Sequence, residues 1–201
     1  MVLRTLDRFF AAETITEVIL VVAPSDISRC EGMLRQEPQY GRRRWLVQRG
    51  GATRQQSVQN GLQLIDPKTD IIVIHDGARP FIIPSLIDRC VEEANEKGAA
   101  VIGVRARDTI KVVSEDRWVQ GTLARSSLWE IQTPQSFHRD IILEAHARAA
   151  SEQVEATDDA ALVERLGHPV FVVEGERLNF KITVPQDVWL AEALIREGKV
   201  F

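Results

Sequence analysis

The stretch Ile71-Ile72-Val73-Ile74-His75-Asp76-Gly77-Ala78-Arg79-Pro80 decides how the rest of the chain is read. Four consecutive apolar residues, bounded on both sides by polar ones, are too short for a helix and suit a strand covered on both faces. The run stops abruptly at a histidine, an acid and a glycine, and an arginine follows just before a rigid proline. In open α/β sheets ligands gather beyond the carboxyl ends of the strands, so this is where a site is expected. Asp76 and Arg79, three residues apart, could hold a metal and a phosphate, with Gly77 allowing close backbone approach. The same pair also reads as a local salt bridge within a loop.

Outward from this point, apolar runs alternate with stretches of helical period. Val18–Val22, closed by Ala23-Pro24-Ser25, and Ala99–Val104 are further strands buried on both faces. Trp45–Val47, Val170–Val173 and Phe180–Thr183 are shorter strand candidates. Leu3, Leu6, Phe9 and Phe10 recur at helical spacing, and helices are also expected over Asp26–Gln36, Ala52–Ile65, Pro84–Lys97 and Arg139–Ala150. Gly98 suits the position just past a helix end. Thr157–Leu166 is a helix with Thr157 as its cap, and Pro185 opens a last helix with Val188, Ala191, Leu194 and Ile195 facing inward. Thr109–Leu123 has the pattern of a hairpin, too short for a domain of its own and read as an arm. Strands separated by helices along the whole length predict an α/β fold with a mainly parallel sheet, one domain over residues 1–201.

Composition narrows the function. At 201 residues the chain can bury a substantial core, and 44% apolar with 27% charged residues is ordinary for a globular protein. A formal net charge of −4 supplies no general basic field, so nucleic acid is not expected as a partner. No apolar run reaches the ~20 residues of a membrane helix, and Met1-Val2-Leu3-Arg4 lacks the pattern of a signal peptide, so a cytoplasmic protein is expected. Cys30 and Cys90 form no CxxC, and the histidines at 75, 138, 146 and 168 form no metal motif. There is no GxSxG and no P-loop.

What remains is a set of Arg, Lys, Thr and Ser residues with one acid at loop ends, an inventory for positioning phosphates and neutralising their charge. Gly50-Gly51 directly precedes a helix, offering backbone N–H groups to a nucleotide, and Arg54 and Ser57 share one face of that helix. A plain helix start is the other reading. Arg105–Lys111 follows a buried strand and is either a site or a solvated turn. Gln132-Thr133-Pro134-Gln135-Ser136-Phe137 packs polar residues around a proline, as an ordinary turn also would. Lys181 lies in an otherwise apolar strand candidate. Such a lysine either points to water from an edge strand or is paired with an anion, because burial without a partner is costly.

These pieces, in this order, resemble the 2-C-methyl-D-erythritol 4-phosphate cytidylyltransferase family of the non-mevalonate isoprenoid pathway. The resemblance runs from Val2-Leu3 to the last helix. It rests on Gly50-Gly51 with Arg54 and Ser57-Val58, on His75–Pro80, and on Asp108-Thr109-Ile110-Lys111. It continues through Arg125 with Leu128-Trp129, Gln132–Gln135, Thr157-Asp158 and Lys181-Ile182-Thr183.

It implies a Rossmann-like nucleotidyltransferase fold, a homodimer embraced by an arm at about residues 107 to 123, and transfer of CMP from CTP to the polyol phosphate with Mg²⁺ or another divalent ion. By that resemblance Gly51, Arg54 and Ser57 lie on the nucleotide side of the site, Gly51 and Ser57 near cytosine and ribose. Asp76, beside Gly77, sits near metal and substrates. Arg79, Thr109, Thr133 and Thr157 surround the polyol phosphate, and Arg125 and Lys181 orient its phosphate for attack. Thr109 and Arg125 are the residues expected to reach across the dimer. A sibling acting on ribitol 5-phosphate is the alternative that His75–Arg79 disfavours.

Two departures accompany the resemblance. The family's first strand and glycine-rich loop, with an arginine and a lysine that hold the triphosphate, have no counterpart before Met1, and Ala52-Thr53 carries no acid. A truncated form or a start codon placed too late would explain the first departure, as would a catalytically impaired nucleotide-binding partner. In each case the neighbouring strands are expected to carry unpaired backbone edges and apolar surface.

Overall fold

The computed structural model describes residues 1–200. Helix α1 (Val2–Ala11) leads into β1 (Glu17–Val22), which pairs in parallel with β2 (Arg44–Arg49) after a connection through α2 (Ile27–Gln36). Helix α3 (Arg54–Leu62) then precedes β3 (Ile71–Ile74), and α4 (Pro84–Lys97) precedes β4 (Ala99–Arg105). The hairpin β5 (Lys111–Val113) and β6 (Val119–Thr122) stands apart as a two-stranded ribbon, as the sequence predicts. Strand β7 (Trp129–His138), α5 (Arg139–Glu152), α6 (Asp159–Arg165), β8 (Phe171–Glu174) and α7 (Pro185–Arg196) complete the chain.

The central sheet has the order β3-β7-β4-β8. β4 and β8 are parallel, and β7 runs antiparallel to both of its neighbours, so β3 and β4 point the same way. This sheet is α/β, with β7 its one reversed member. β4 is buried over Ala99–Val104, and its alternation explains why. Successive side chains of a strand face opposite sides. Ala99 and Val101 therefore pack with Phe137, Ile142 and Leu162 under α5 and α6, while Ala100 and Ile102 pack with Ile87, Cys90 and Phe9 under α4 and α1. A third cluster of Leu6, Phe10, Leu34 and Tyr40 joins α1 to α2. The Tyr40 hydroxyl donates to Asp7 at 2.6 Å, which keeps its polar end satisfied in that cluster.

The structure differs from the sequence expectations in five places. The polar, proline-containing stretch 132–137 is a central strand, because its buried polar groups are paired: Gln135 with Asp158 and Ala160, Ser136 with Cys90. β1 is half-buried along its length and not enclosed on both faces. Its edge and that of β3 line opposite walls of a cleft of about 880 Å³, with Ile19 and Val21 on one side, Ile71 and Val73 on the other, and no pairing between them. Unpaired edges and apolar surface of this kind are what the sequence reading expects of β1 and β3. Phe180–Thr183 forms no strand; one hydrogen bond, from Ile182 N–H to Ala78 O at 2.9 Å, ties it to the β3 tip. On α7 only Ala191 of the four residues expected inward is buried, Val188 and Ile195 being exposed. Asp158, not Thr157, caps α6, accepting from Ala161 N–H at 2.9 Å.

Candidate active site

The carboxyl end of β3 delivers His75, Asp76 and Arg79 to one point, and three neighbouring elements fix them there. From α1, Thr5 donates to Gly77 O at 3.0 Å, pinning the turn. A Cβ at Gly77 would meet nothing within 4 Å, so the backbone there borders open space. From β7, Thr133 lies beside the turn because Ile74 is in register with Gln135.

The hydrogen bonds form a directed chain. Asp76 N–H donates to Thr133 Oγ1 at 3.0 Å, Thr133 donates to His75 Nδ1 at 3.1 Å, and His75 Nε2–H donates to Arg79 O at 3.1 Å. A hydroxyl can accept one bond while giving another, and a neutral imidazole can do the same through its two nitrogens. His75 also packs against Phe9, ring centroids 4.8 Å apart. Desolvation there lowers its pKa to about 4, so it is neutral at pH 7. His75 is a latch on the loop.

Asp76 is the electrostatic centre. Its Oδ2 lies 3.1 Å from Lys181 Nζ and 3.6 Å from Arg79 Nε, and its Oδ1 accepts from Arg54 Nε at 3.2 Å. Burial alone would raise its pKa, but the hydrogen bond and charge of Lys181, then those of Arg54, outweigh it and hold the carboxyl below the usual range. Arg79 is itself anchored by Nη1 donating to Asn179 O at 2.8 Å, while its buried Nε has no hydrogen-bond partner. Burial lowers the Arg79 pKa. Asn179 is buried and donates to both Gln132 Oε1 and Thr133 O at 2.9 Å. That anchor sets where Lys181, two residues later, leaves the backbone. Lys181 reaches the carboxylate from an irregular segment with its side chain 40% exposed. It is a paired lysine at the site and not the buried strand residue its surroundings suggested.

Gly51 and Ser57, both expected on the nucleotide side of the site, bond to each other. Gly50 N–H donates to Val22 O at 2.7 Å, Gly51 N–H to Ser57 Oγ at 3.1 Å, and Ala52 N–H to Gln56 Oε1 at 2.9 Å. The N–H groups expected to be free are satisfied by β1 and by the first turn of α3. Gly51 is required for contact, since a Cβ there would sit 2.3 Å from Gln56 Cβ. Ser57 lines the same cleft as Asp76. Thr157 is exposed, two residues before the buried Asp159 that pairs with Arg54 Nη1 at 2.7 Å. Among the described residues no three His, Cys, Asp or Glu side chains gather into a metal-holding group, so Asp76 is a lone carboxylate.

The family's sequence pattern, described as 2-C-methyl-D-erythritol 4-phosphate cytidylyltransferase, matches residues 1–197. The chain belongs to that family. It is 43% identical to the cytidylyltransferase of that name from Syntrophus aciditrophicus, over all of this chain and 86% of the relative. Identity to the one from Caldanaerobacter subterraneus is 40%, over 96% and 85%. Among solved structures, 4-diphosphocytidyl-2C-methyl-D-erythritol synthase from Anaerococcus prevotii superposes with a TM-score of 0.90 at 29% identity, over 97% of this chain and 85% of that one. The Thermus thermophilus cytidylyltransferase gives 0.79 at 38% identity, over 97% and 88%.

Within this cytidylyltransferase-family chain, Arg54, Asp76, Arg79, Thr133 and Lys181 are brought together. Thr109 and Arg125 are not. Thr109 is exposed at the base of the arm, and Arg125, also exposed, donates through Nη1 to Arg107 O at 2.8 Å. Neither has a hydrogen bond or ion pair to the Asp76 group among the described residues.

Proposed function

We propose that the protein transfers CMP from CTP to 2-C-methyl-D-erythritol 4-phosphate. A phosphate oxygen of the polyol attacks the α-phosphorus of CTP, a new P–O–P bond forms, and the bond to the β-phosphate breaks as pyrophosphate leaves with its electron pair. The nucleophile is already an anion near neutral pH, so no strong base is required. The obstacle is repulsion: two unit charges ~4 Å apart interact by about 4 kcal/mol at an effective dielectric of ~20. The observation that carries the reading is the convergence of Lys181, Arg79 and Arg54 on Asp76, which lines the cleft together with Arg54. Asp76 holds three cations together, an arrangement ready for incoming phosphates.

The lone carboxylate fits Mg²⁺ that arrives with the triphosphate, since that ion binds through one or two carboxylates together with substrate phosphates. Asp76 would hold it, and the ion would supply charge neutralisation between the reactants. Lys181 orients the polyol phosphate, and Thr133 keeps the Asp76 backbone in place.

The functional unit in this proposal is a homodimer in the cytoplasm. What supports it is the arm, where Ile110, Val112, Val113, Trp118, Val119 and Leu123 are all exposed, Trp118 at 75%. An apolar surface of that kind on a two-stranded ribbon calls for a partner. Arg125 and Thr109 would then complete the polyol-phosphate site of the other subunit. Pyrophosphate release with CTP and, separately, 2-C-methyl-D-erythritol 4-phosphate and ribitol 5-phosphate tests the reading. Release with the first acceptor alone is expected; release with ribitol 5-phosphate alone would replace it.

A further inference from the structure

Behind Arg54 lies a pair of buried groups that the reaction as described does not use. Asp159 opens α6 with its side chain 1% exposed, and His146 projects from α5 with 3% exposed. Asp159 Oδ1 accepts from His146 Nε2 at 3.0 Å, and its Oδ2 accepts from Arg54 Nη1 at 2.7 Å. An ionised carboxylate can only accept, so this contact requires the proton on Nε2 of His146. Arg54 then spans two carboxylates, Nη1 on Asp159 and Nε on Asp76. Its Nη2 makes no hydrogen bond to the protein and is not buried, and the residue lines the cleft.

A buried acid is costly, and an apolar residue could fill the same volume with no such penalty. The acid earns its place by geometry. A guanidinium beside one carboxylate tends to form two parallel hydrogen bonds with it. Without Asp159, Arg54 would turn both Nε and an Nη onto Asp76 and crowd Lys181 and Arg79 from the same oxygens. With Asp159, the guanidinium is held between two anions through Nε and Nη1, and Nη2 makes no hydrogen bond to the protein.

We propose that Asp159, braced by His146, is a positioning residue for nucleotidyl transfer. It fixes Arg54 so that Nη2 is presented to an anionic oxygen of the bound substrates, and it reserves Asp76 Oδ2 for Lys181 and Arg79. The proposal rests on the cytidylyltransferase reading.

The test is a double-mutant cycle on the full chain with CTP and the polyol phosphate. Asp159→Asn is expected to lower kcat/KM on the order of 10²-fold, the scale of a misplaced positioning group. In an Arg54→Ala background the same substitution is expected to change it by no more than about twofold, because its effect passes through Arg54. An equal loss in both backgrounds, or no loss in the first, overturns the proposal. Should Asp159→Asn fail to fold, His146→Ala replaces it, with a loss of about tenfold expected and recovery in His146→Gln, whose amide can donate to Asp159. Equal losses in the alanine and glutamine variants overturn the bracing role. The Arg54 Hε resonance gives a readout independent of turnover: its exchange with water is expected to accelerate about tenfold or more in Asp159→Asn or His146→Ala. Unchanged exchange overturns the arrangement. A wild-type chain that releases no pyrophosphate while its Hε responds as expected would sink the activity and leave the arrangement standing.

Discussion

At the tip of β3, Asp76, His75 and Thr133 each find hydrogen-bond partners within the same chain, whereas along β5 and β6 the apolar side chains face solvent. Both regions carry residues that the sequence marks as candidates. The difference lies in where their partners come from. Groups at the strand tip are held by α1, α3, β7 and the segment before α7, a rigid frame. Thr109 and Arg125 flank a ribbon whose two strands pair with each other, and neither has a hydrogen bond or ion pair to the Asp76 group among the described residues.

The largest expected effect tests the strand tip. Lys181→Ala should lower kcat/KM by about 10²–10³-fold, the scale seen when one charge-stabilising donor is lost, with Tm little changed because the lysine is partly exposed. Unaltered kcat/KM would remove Lys181 from the site. Next comes the arm. Arg125→Ala should be impaired on the order of 10²-fold, and mixing it with Lys181→Ala sharpens the contrast. If Arg125 of the partner subunit completes each site, mixed dimers contain one intact site, and about a quarter of wild-type activity returns at equal mixing. No recovery would place Arg125 in its own subunit's site or outside both.

A smaller effect concerns the latch. Burial holds the His75 pKa at about 4 in the fold, below the ~6.5 of a free histidine, so the unfolded chain binds the extra proton first as pH falls. The contribution of neutral His75 is complete above pH 6.5 and lost on descent toward pH 4, a change of roughly 3 kcal/mol in urea unfolding. His75→Gln should flatten that part of the profile. Gly51→Ala should be the mildest, destabilising by about 1–3 kcal/mol as Gln56 is pushed aside. An unchanged urea midpoint would mean that the turn before α3 relaxes freely.

Much of this architecture can be read from the residues. β3 and β4 announce themselves by unbroken apolar runs, and α4 by Pro84 at its start and Gly98, φ +92°, at its end. β7 cannot be read that way. Its alternation is hidden because Gln132, Thr133, Gln135 and Ser136 are buried polar residues whose partners lie 23 to 58 residues distant, and a proline in mid-strand argues against a ladder. Lys181 is singled out by the sequence and lies beside Asp76, but in an irregular segment where a strand is expected. Arg54 is legible from its place after Gly50-Gly51. Its link to Asp159 is not, because 105 residues separate the pair and no periodicity encodes an ion pair across two helices.

β7 also dictates how much change each part of the chain can absorb. Thr133 reaches the Asp76 backbone only in the register that sets Ile74 against Gln135. One residue added within 129–138 would turn alternate side chains to the opposite face and carry the hydroxyl away. The same residue added at the hairpin tip, around Glu115 and Asp116, would only lengthen a solvent-exposed turn. Insertions in this enzyme should therefore accumulate at the arm's end and be absent from the reversed strand.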